Sequence, residues 1–182
     1  MDSKSDPITN HDSQLTNRRH LGVDYGTRRV GLAMSDEGGT FVSPLEVVEV
    51  TTPAVALEKV SAVVAKEDVG IIVVGLPINM DGTEGPSAKA VRAWVKSLRE
   101  ATKRSIVLVD ERQTSVEAEQ SIVDRKRGGE KITRKGKKKR LDALAAAVIL
   151  KGYLDGDLAV LSEPDSRADA TGAARRDSGD LP

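Results

Sequence analysis

The sequence predicts an α/β fold in which a mixed five-stranded sheet carries helices on both faces. Three observations predict this class. Apolar residues alternate near the N-terminus, short uninterrupted apolar runs follow in the middle of the chain, and segments of helical periodicity separate those runs. We therefore expect a three-strand meander, followed by alternating helices and strands.

The meander is predicted over His20–Tyr25, Arg29–Ser35 and Leu45–Val50. Gly26 ends the first strand, and the turn before the third strand contains two successive glycines. Alternate apolar residues of the second strand share one face, namely Val30, Leu32 and Met34. This alternation is typical of a strand that packs one face on a core.

Helical periodicity begins after the meander. Thr52 and Pro53 combine a capping residue with proline in the first turn, which predicts the start of a helix. Its predicted buried stripe consists of Leu57, Val60 and Val64. Pro86 begins a second predicted helix, whose apolar side consists of Val91, Trp94, Val95 and Leu98.

The apolar run Ile71–Val74 predicts a central strand that is covered on both faces, and the run Ile106–Val109 predicts another buried strand. Capping-box spacing at Thr114–Glu117 predicts another helix, and Arg140–Leu154 is the last. This order of elements is that of the ribonuclease H-like fold. The opening hairpins are too short to hold the crossover helices of a dinucleotide-binding fold.

The composition limits both the domain organisation and the chemistry. Polar segments predict disordered tails at residues 1–18 and 162–182, around one folded domain at 19–161. The chain has no cysteine, which excludes thiol nucleophiles, zinc–thiolate sites and disulfides. No apolar run approaches the roughly 20 residues of a membrane helix, and the N-terminus lacks an apolar signal segment. We therefore expect a cytoplasmic protein without a membrane partner.

A strongly basic segment interrupts an otherwise acidic chain. Arg125–Arg140 contains ten lysines or arginines and one acid, although the formal net charge of the whole chain is zero. A local cationic strip predicts a polyanionic partner such as nucleic acid. The alternative is a solvated loop without a ligand.

Three scattered acids are candidates for a common site. Asp24 lies at the end of the first strand, and Asp142 lies in a helix that is otherwise apolar. Asp110 and Glu111 follow the last strand, but neighbouring strand residues face opposite sides, so only one of the two can join Asp24. A cluster of carboxylates repels itself, and a hard divalent cation such as Mg²⁺ or Mn²⁺ relieves the repulsion. Such an ion can activate water and polarise a phosphate.

Each acid also has a purely structural explanation. Asp24 could cap the following turn, and Asp110 or Glu111 could end a strand as the ion-pair partner of Arg112. Asp142 could be an acid at a helix start, favoured by the helix dipole. No histidine is placed to replace a metal, because the two histidines lie in the N-terminal tail and at the start of the first strand.

Four motifs, in order along residues 21–153, give the chain a specific resemblance to a known family. They are Asp24–Thr27 with Val30–Ala33, the loop Gly75–Gly85, Asp110–Arg112 with Thr114 and Ser115, and Lys135–Lys137 leading to Asp142–Ala146. The chain thus resembles the YqgF family, the RuvC-like family of Holliday-junction resolvases that are mostly described as pre-16S rRNA nucleases.

The resemblance implies a metal-dependent endonuclease with Asp24, Glu111 and Asp142 as catalytic residues and as ligands of Mg²⁺ or Mn²⁺. It implies that the Gly75–Gly85 loop lines this site through Asn79, Asp81 and Glu84. The residues expected to bind nucleic acid are Arg28, Asn79, Arg112, Arg134, Lys135, Lys137, Lys138, Lys139 and Arg140.

The implied substrates are an rRNA precursor, processed at the 5′ end of 16S rRNA, or alternatively a four-way DNA junction. Junction resolution needs two symmetric cuts and hence a homodimer. Two positions depart from the related patterns: Gln113 replaces an apolar residue, and Ala145 stands where the RuvC group carries a fourth acid. Two alternatives from other classes are a non-catalytic nucleic-acid-binding module and an ATPase with an actin-like phosphate loop.

Overall fold

The computed structural model describes residues 18–112 and 134–161, and over residues 134–140 the backbone alone. Within this part the elements are β1 (His20–Tyr25), β2 (Arg29–Ser35), β3 (Val42–Glu49), α1 (Pro53–Lys66), β4 (Ile71–Leu76), α2 (Pro86–Thr102), β5 (Ser105–Asp110) and α3 (Arg134–Leu154). No helix among the described residues is both long and apolar enough to cross a membrane.

The five strands form one mixed sheet in the order β3-β2-β1-β4-β5. β2 runs antiparallel to both β1 and β3, whereas β4 runs parallel to β1 and to β5. The carboxyl ends of β1, β4 and β5 therefore meet at one edge of the sheet, where β2 begins and β3 ends. The predicted mixed five-stranded fold is confirmed.

One face of the sheet packs on α1 and α2 through large apolar side chains. The predicted stripe of β2 lies in this core, together with Val60, Val64 and the predicted side of α2; Leu57 is only partly buried. Thr52 caps α1 as expected, because its hydroxyl accepts a hydrogen bond from the Val55 amide at 3.2 Å. Tyr25 stacks on Trp94 with ring centroids 4.4 Å apart.

The other face of the sheet is covered by α3, which contacts β1, β2, β3 and β4. Over β1 and β2 the contacts are made by small residues, including Ala33 against Ala146. Over β4 and β5 larger residues pack together, namely Val73 and Val109 with Ile149 and Leu150 of α3. A Cβ atom added at Gly22 would lie 2.5 Å from the Ala146 backbone oxygen, and one added at Gly31 would overlap the Asp142 backbone oxygen. These two glycines let the backbone of α3 lie directly on the sheet.

Two expected boundaries were wrong. The last helix begins at Arg134 rather than Arg140, because lysine and arginine are good helix formers and extend the apolar helix toward its N-terminus. Asp142 is consequently the ninth residue of α3 and does not lie at a helix start. β3 begins at Val42, where antiparallel pairing with β2 already starts.

Several other expectations lie outside the described residues. These are the helix at 114–117, the basic segment before residue 134, and the two tails apart from Arg18. At its far end the described chain returns to the sheet, where the Leu161 amide donates to the Leu108 carbonyl at 2.7 Å and Val160 bridges to Val109. The edge of β5 is thereby partly covered.

Candidate active site

Asp24 and Asp142 meet where α3 crosses the first hairpin. Asp24 lies two residues after Gly22 in β1, so both residues face α3. The residue opposite Asp24 on β2 is Gly31, over which the backbone of Asp142 passes. The absence of a side chain at Gly31 therefore allows the two acids to approach each other.

Glu111 reaches the same face of the sheet from the end of β5. Its backbone amide donates to the Leu76 carbonyl at 3.3 Å, which holds the start of the following loop against β4. A Cβ atom added at Gly75 would lie 3.0 Å from the Glu111 Oε2 atom and 2.7 Å from Ile149 of α3. The carboxylate of Glu111 thus lies over Gly75, beside α3.

The electrostatics couple the three acids. Burial, and secondly the negative charge of Asp142, raises the pKa of Asp24 to about 6. Burial, and secondly the charge of Asp24, raises the pKa of Glu111 to about 7. Asp24 is therefore the acid that links the other two, because Asp142 raises its pKa and it raises the pKa of Glu111 in turn. Together the three negative charges favour the approach of a cation.

Asp110 does not take part in this cluster. Arg112 binds its carboxylate through Nε at 2.8 Å and Nη2 at 2.5 Å, and the Arg112 amide donates to Oδ1 at 3.0 Å. The hydrogen bond from Arg112 holds the pKa of Asp110 below its usual value. The structural explanation of a strand-ending acid with an arginine partner thus describes Asp110, while its neighbour Glu111 faces Asp24.

Arg29 is a site residue that the sequence reasoning missed. Its Nε atom lies 2.6 Å from the Asp142 Oδ2 atom, and the two side chains are 25% and 23% exposed. Both atoms are buried, and the angles do not allow a hydrogen bond between them or to another partner. An available signal was its place at the first position of β2, at the same edge of the sheet as the acids.

The chain matches the model of a known family over most of its length. A family model described as RuvX, Holliday junction resolvase, matches residues 18–156. The chain belongs to the RuvX family. This is the family that the four sequence motifs predicted under the name YqgF, so that prediction is confirmed.

Several bacterial proteins are similar to the chain over almost their full length. A protein of Anaeromyxobacter sp. strain Fw109-5 is 44% identical over 138 residues, covering 76% of this chain and 97% of its own. A protein of Bacillus cytotoxicus is 40% identical over 139 residues, covering 75% and 98%. Both carry the provisional name pre-16S rRNA nuclease.

A solved structure of Thermus thermophilus RuvC, in complex with a Holliday junction substrate, is similar in fold to this RuvX chain. The TM-score is 0.51 at 16% sequence identity, covering 79% of this chain and 99% of RuvC. At this identity the similarity concerns the fold alone. It supports the ribonuclease H-like architecture that the order of elements predicted.

The residues expected to bind nucleic acid occupy different surroundings in this RuvX chain. Arg28 is exposed and lines a groove of about 480 Å³. Arg112 forms an ion pair with Asp110. The other expected cations lie in the first two turns of α3, where only the backbone is described: Arg134, Lys135, Lys137, Lys138, Lys139 and Arg140.

The polar side chains of the Gly75–Gly85 loop are hydrogen-bonded locally. Asn79 donates to the Thr83 hydroxyl at 2.9 Å, and Asp81 accepts from the same residue. Glu84 accepts two hydrogen bonds from Nε of Arg92, at 3.0 and 2.9 Å. These contacts hold the backbone of the loop in place. They also pair Asp81 with Thr83 and Glu84 with Arg92.

The donor set fits a hard divalent cation in its chemistry. It consists of carboxylates, it is partly buried, and the Oδ2 atom of Asp142 is buried without a hydrogen-bond donor. In residues 18–112 and 134–161, no three such side chains are already arranged to hold a metal ion. Metal binding would therefore require the carboxylates to rotate, and Asp142 would have to exchange its contact with Arg29.

Proposed function

We propose that this protein is a divalent-metal-dependent endonuclease that cuts the 5′ leader of a 16S rRNA precursor. The observation that carries the proposal is the coupled cluster of Asp24, Glu111 and Asp142 on the α3 face. The relatives named for pre-16S rRNA nuclease activity support the choice of substrate. The family and its relatives support nuclease chemistry, and we assign the metal to this cluster.

The three acids would hold one or two Mg²⁺ or Mn²⁺ ions. Such ions would polarise the scissile phosphate, activate a water and stabilise the leaving oxygen. The protein positions the ligands through the close packing of α3 on Gly31 and of Glu111 on Gly75. Because α3 starts at Arg134, its basic first turns precede Asp142 on the same helix and lead the substrate backbone toward the acids.

Binding to the basic segment should be strongly dependent on salt, because each neutralised phosphate releases counterions. Arg28 lies at the same edge of the sheet and extends the cationic surface around the hairpin turn. We further propose that the protein acts in the cytoplasm, where precursor rRNA is made in bacteria such as those of its relatives.

Four-way DNA junctions are a second candidate substrate. The family description and the similarity in fold to RuvC favour it. Junction cutting would require a homodimer that presents two sites. Ala145 argues for the rRNA substrate, because the RuvC group carries an acid at the corresponding place and this chain has none there.

The test is cleavage of two end-labelled substrates in Mg²⁺ or Mn²⁺, an RNA carrying the 16S 5′ leader and a synthetic four-way DNA junction. We expect discrete cuts in the RNA by the wild-type protein and by Asp110→Asn. Asp24→Asn and Asp142→Asn should lose about a hundredfold or more in rate, because loss of a residue that merely orients a metal ligand already costs about 10–100-fold. Cutting of the junction alone would select the second candidate.

The matched variant Asp110→Asn makes the assay specific. Asp110 is adjacent to Glu111 in the chain, but it binds Arg112 and faces away from the cluster. Equal cutting by all variants would show that the three-acid cluster is not the catalytic site. If neither the wild type nor any variant cut either substrate with either metal, the protein would be a non-catalytic nucleic-acid-binding module.

A further inference from the structure

The contact between Arg29 and Asp142 is unusual for a structural ion pair. Guanidinium groups usually bind carboxylates through aligned, often bidentate hydrogen bonds. Here Nε lies 2.6 Å from Oδ2, yet both buried atoms lack a hydrogen bond of good geometry. Arg92 and Glu84 form the aligned kind in the same protein, with Nε donating to Oε2 at 2.9 Å and Nη2 donating to Oε1 at 2.6 Å. The Arg29 contact thus supplies charge without directed bonding.

We propose that Arg29 and a divalent cation compete for Asp142. In this arrangement the guanidinium neutralises Asp142 before a cation binds, and it turns away from Oδ2 when the cation takes its place. The proposal rests on the proposed function, because it assumes that Asp142 is a metal ligand. Arg29 is therefore a positioning residue that sets how readily the site accepts metal.

The local structure offers Arg29 a place to turn. A groove of about 480 Å³ opens beside it, lined by Thr27, Arg28, Arg29, Glu49, Val50 and Thr51. The strand register places Glu49 of β3 directly opposite Arg29. Rotation of the side chain would carry the guanidinium from the buried acids into this groove, which Glu49 also lines. The backbone need not move, because the Arg29 carbonyl stays bonded to the Gly26 amide at 2.9 Å.

The counter-charge of Asp142 is the point at which the two cations would compete. A guanidinium nitrogen of Arg29 lies 2.6 Å from its Oδ2 atom. A divalent ion at the cluster would take over this role, because it neutralises several carboxylates at once.

The first measurement is the binding of Mn²⁺ to wild type, Arg29→Gln and Arg28→Gln by calorimetry at one pH and ionic strength. Arg28→Gln removes the same charge one residue away, from an exposed side chain that has no recorded ion pair with Asp142. We expect Arg29→Gln to bind on the order of tenfold more tightly than wild type, the factor expected if about a tenth of the population already has Arg29 displaced. Arg28→Gln should change the affinity much less.

The second measurement needs no variant in the site. The Nε–Hε signal of Arg29 is followed by NMR during titration of the wild-type protein with diamagnetic Mg²⁺, with the signal assigned from its loss in Arg29→Lys. We expect slow exchange with water before Mg²⁺ is added and rapid exchange at saturation. The Nε–Hε signal of Arg92, bound to Glu84, should not change.

The outcomes separate this inference from the proposed function. The competition is overturned if Arg29→Gln binds Mn²⁺ no more tightly than Arg28→Gln does. It is also overturned if the Arg29 signal stays protected at saturating Mg²⁺. Either result leaves the proposed metal site intact. If neither wild type nor Arg29→Gln binds metal, both proposals are wrong. If Arg29→Gln does not fold, the NMR titration of wild type still decides the question.

Discussion

The two faces of the sheet differ in what they pack with. The face toward α1 and α2 uses large apolar side chains, such as Leu32 and Trp94, and buries them almost completely. The face toward α3 uses glycine and alanine where the helix crosses β1 and β2, and larger apolar residues such as Val73 and Ile149 near β4 and β5. It also holds the three acids and Arg29. Strand residues alternate between these faces, so successive residues of one strand serve different purposes.

The difference shows how one small sheet combines stability with a polar site. Large side chains on one face bury enough apolar area to hold the domain together. The absence of side chains at Gly22 and Gly31 on the other face brings the α3 backbone onto the sheet, which places Asp142 over the residue opposite Asp24. Substitutions on the first face should therefore change stability alone, and substitutions on the second should change metal binding as well.

The largest loss of stability is expected from Leu32→Ala. Leu32 is fully buried on the α1 and α2 face, and its truncation should lower the free energy of unfolding by about 3 kcal/mol. Chemical denaturation measures this loss, and calorimetry with Mn²⁺ on the folded variant should give the wild-type affinity. A clear loss of affinity would mean that the two faces are not independent.

Gly31→Ala is the matched change on the opposite face. The added Cβ would overlap the backbone oxygen of Asp142, and the strain should cost about 2 kcal/mol. Unlike Leu32→Ala, this variant should also bind Mn²⁺ more weakly, because α3 must move away from Asp24. Wild-type affinity in Gly31→Ala would contradict the role of close packing in forming the site.

Glu111→Gln should stabilise the metal-free protein at alkaline pH. The pKa of Glu111 is raised to about 7, so its contribution to stability is complete below the unfolded value near pH 4 and is lost as the pH rises through about 7. Above that range the variant avoids a buried charge and should be more stable by about 2 kcal/mol. Denaturation in EDTA at several pH values tests this, and a constant difference across pH would contradict it.

Asp110→Asn should have the smallest effect. The side chain of Arg112 is 37% exposed, and exposed ion pairs contribute about 1 kcal/mol or less. The pKa of Asp110 is lowered, so this contribution is present at neutral pH and is lost only on acidification through the lowered folded value. Denaturation at neutral pH should show a loss within this limit, and a loss as large as that of Leu32→Ala would place Asp110 in the core.

Features that depend on neighbouring residues along the chain, such as strand alternation and helix capping, were predictable from the sequence. Alternation marked the buried face of β2, and Thr52 marked the start of α1. The site needed contacts between distant segments. That Arg29 meets Asp142 depends on the β1–β2 register and on the crossing of α3 at Gly31, and no local pattern encodes either.

The start of α3 illustrates a second reason for error. The run of cations before Asp142 suggested a loop, yet its residues are good helix formers and continue the helix from the packed apolar segment. The helix dipole was therefore the wrong explanation for Asp142, because its influence fades within the first turn. For Asp110 and Glu111, alternation along the strand predicted that only one of the two could face Asp24. The structure distinguishes them, because Asp110 binds Arg112 and Glu111 interacts with Asp24.

The most direct test of a metal site on the α3 face is the change in melting temperature with Mn²⁺ for wild type, Glu111→Gln and Asp110→Asn. The two variants alter adjacent acids that face opposite sides of the sheet. We predict that saturating Mn²⁺ raises the melting temperature of wild type and Asp110→Asn by several degrees and that of Glu111→Gln much less. Equal shifts in all three proteins, or none in wild type, would contradict the assignment of the metal to Asp24, Glu111 and Asp142.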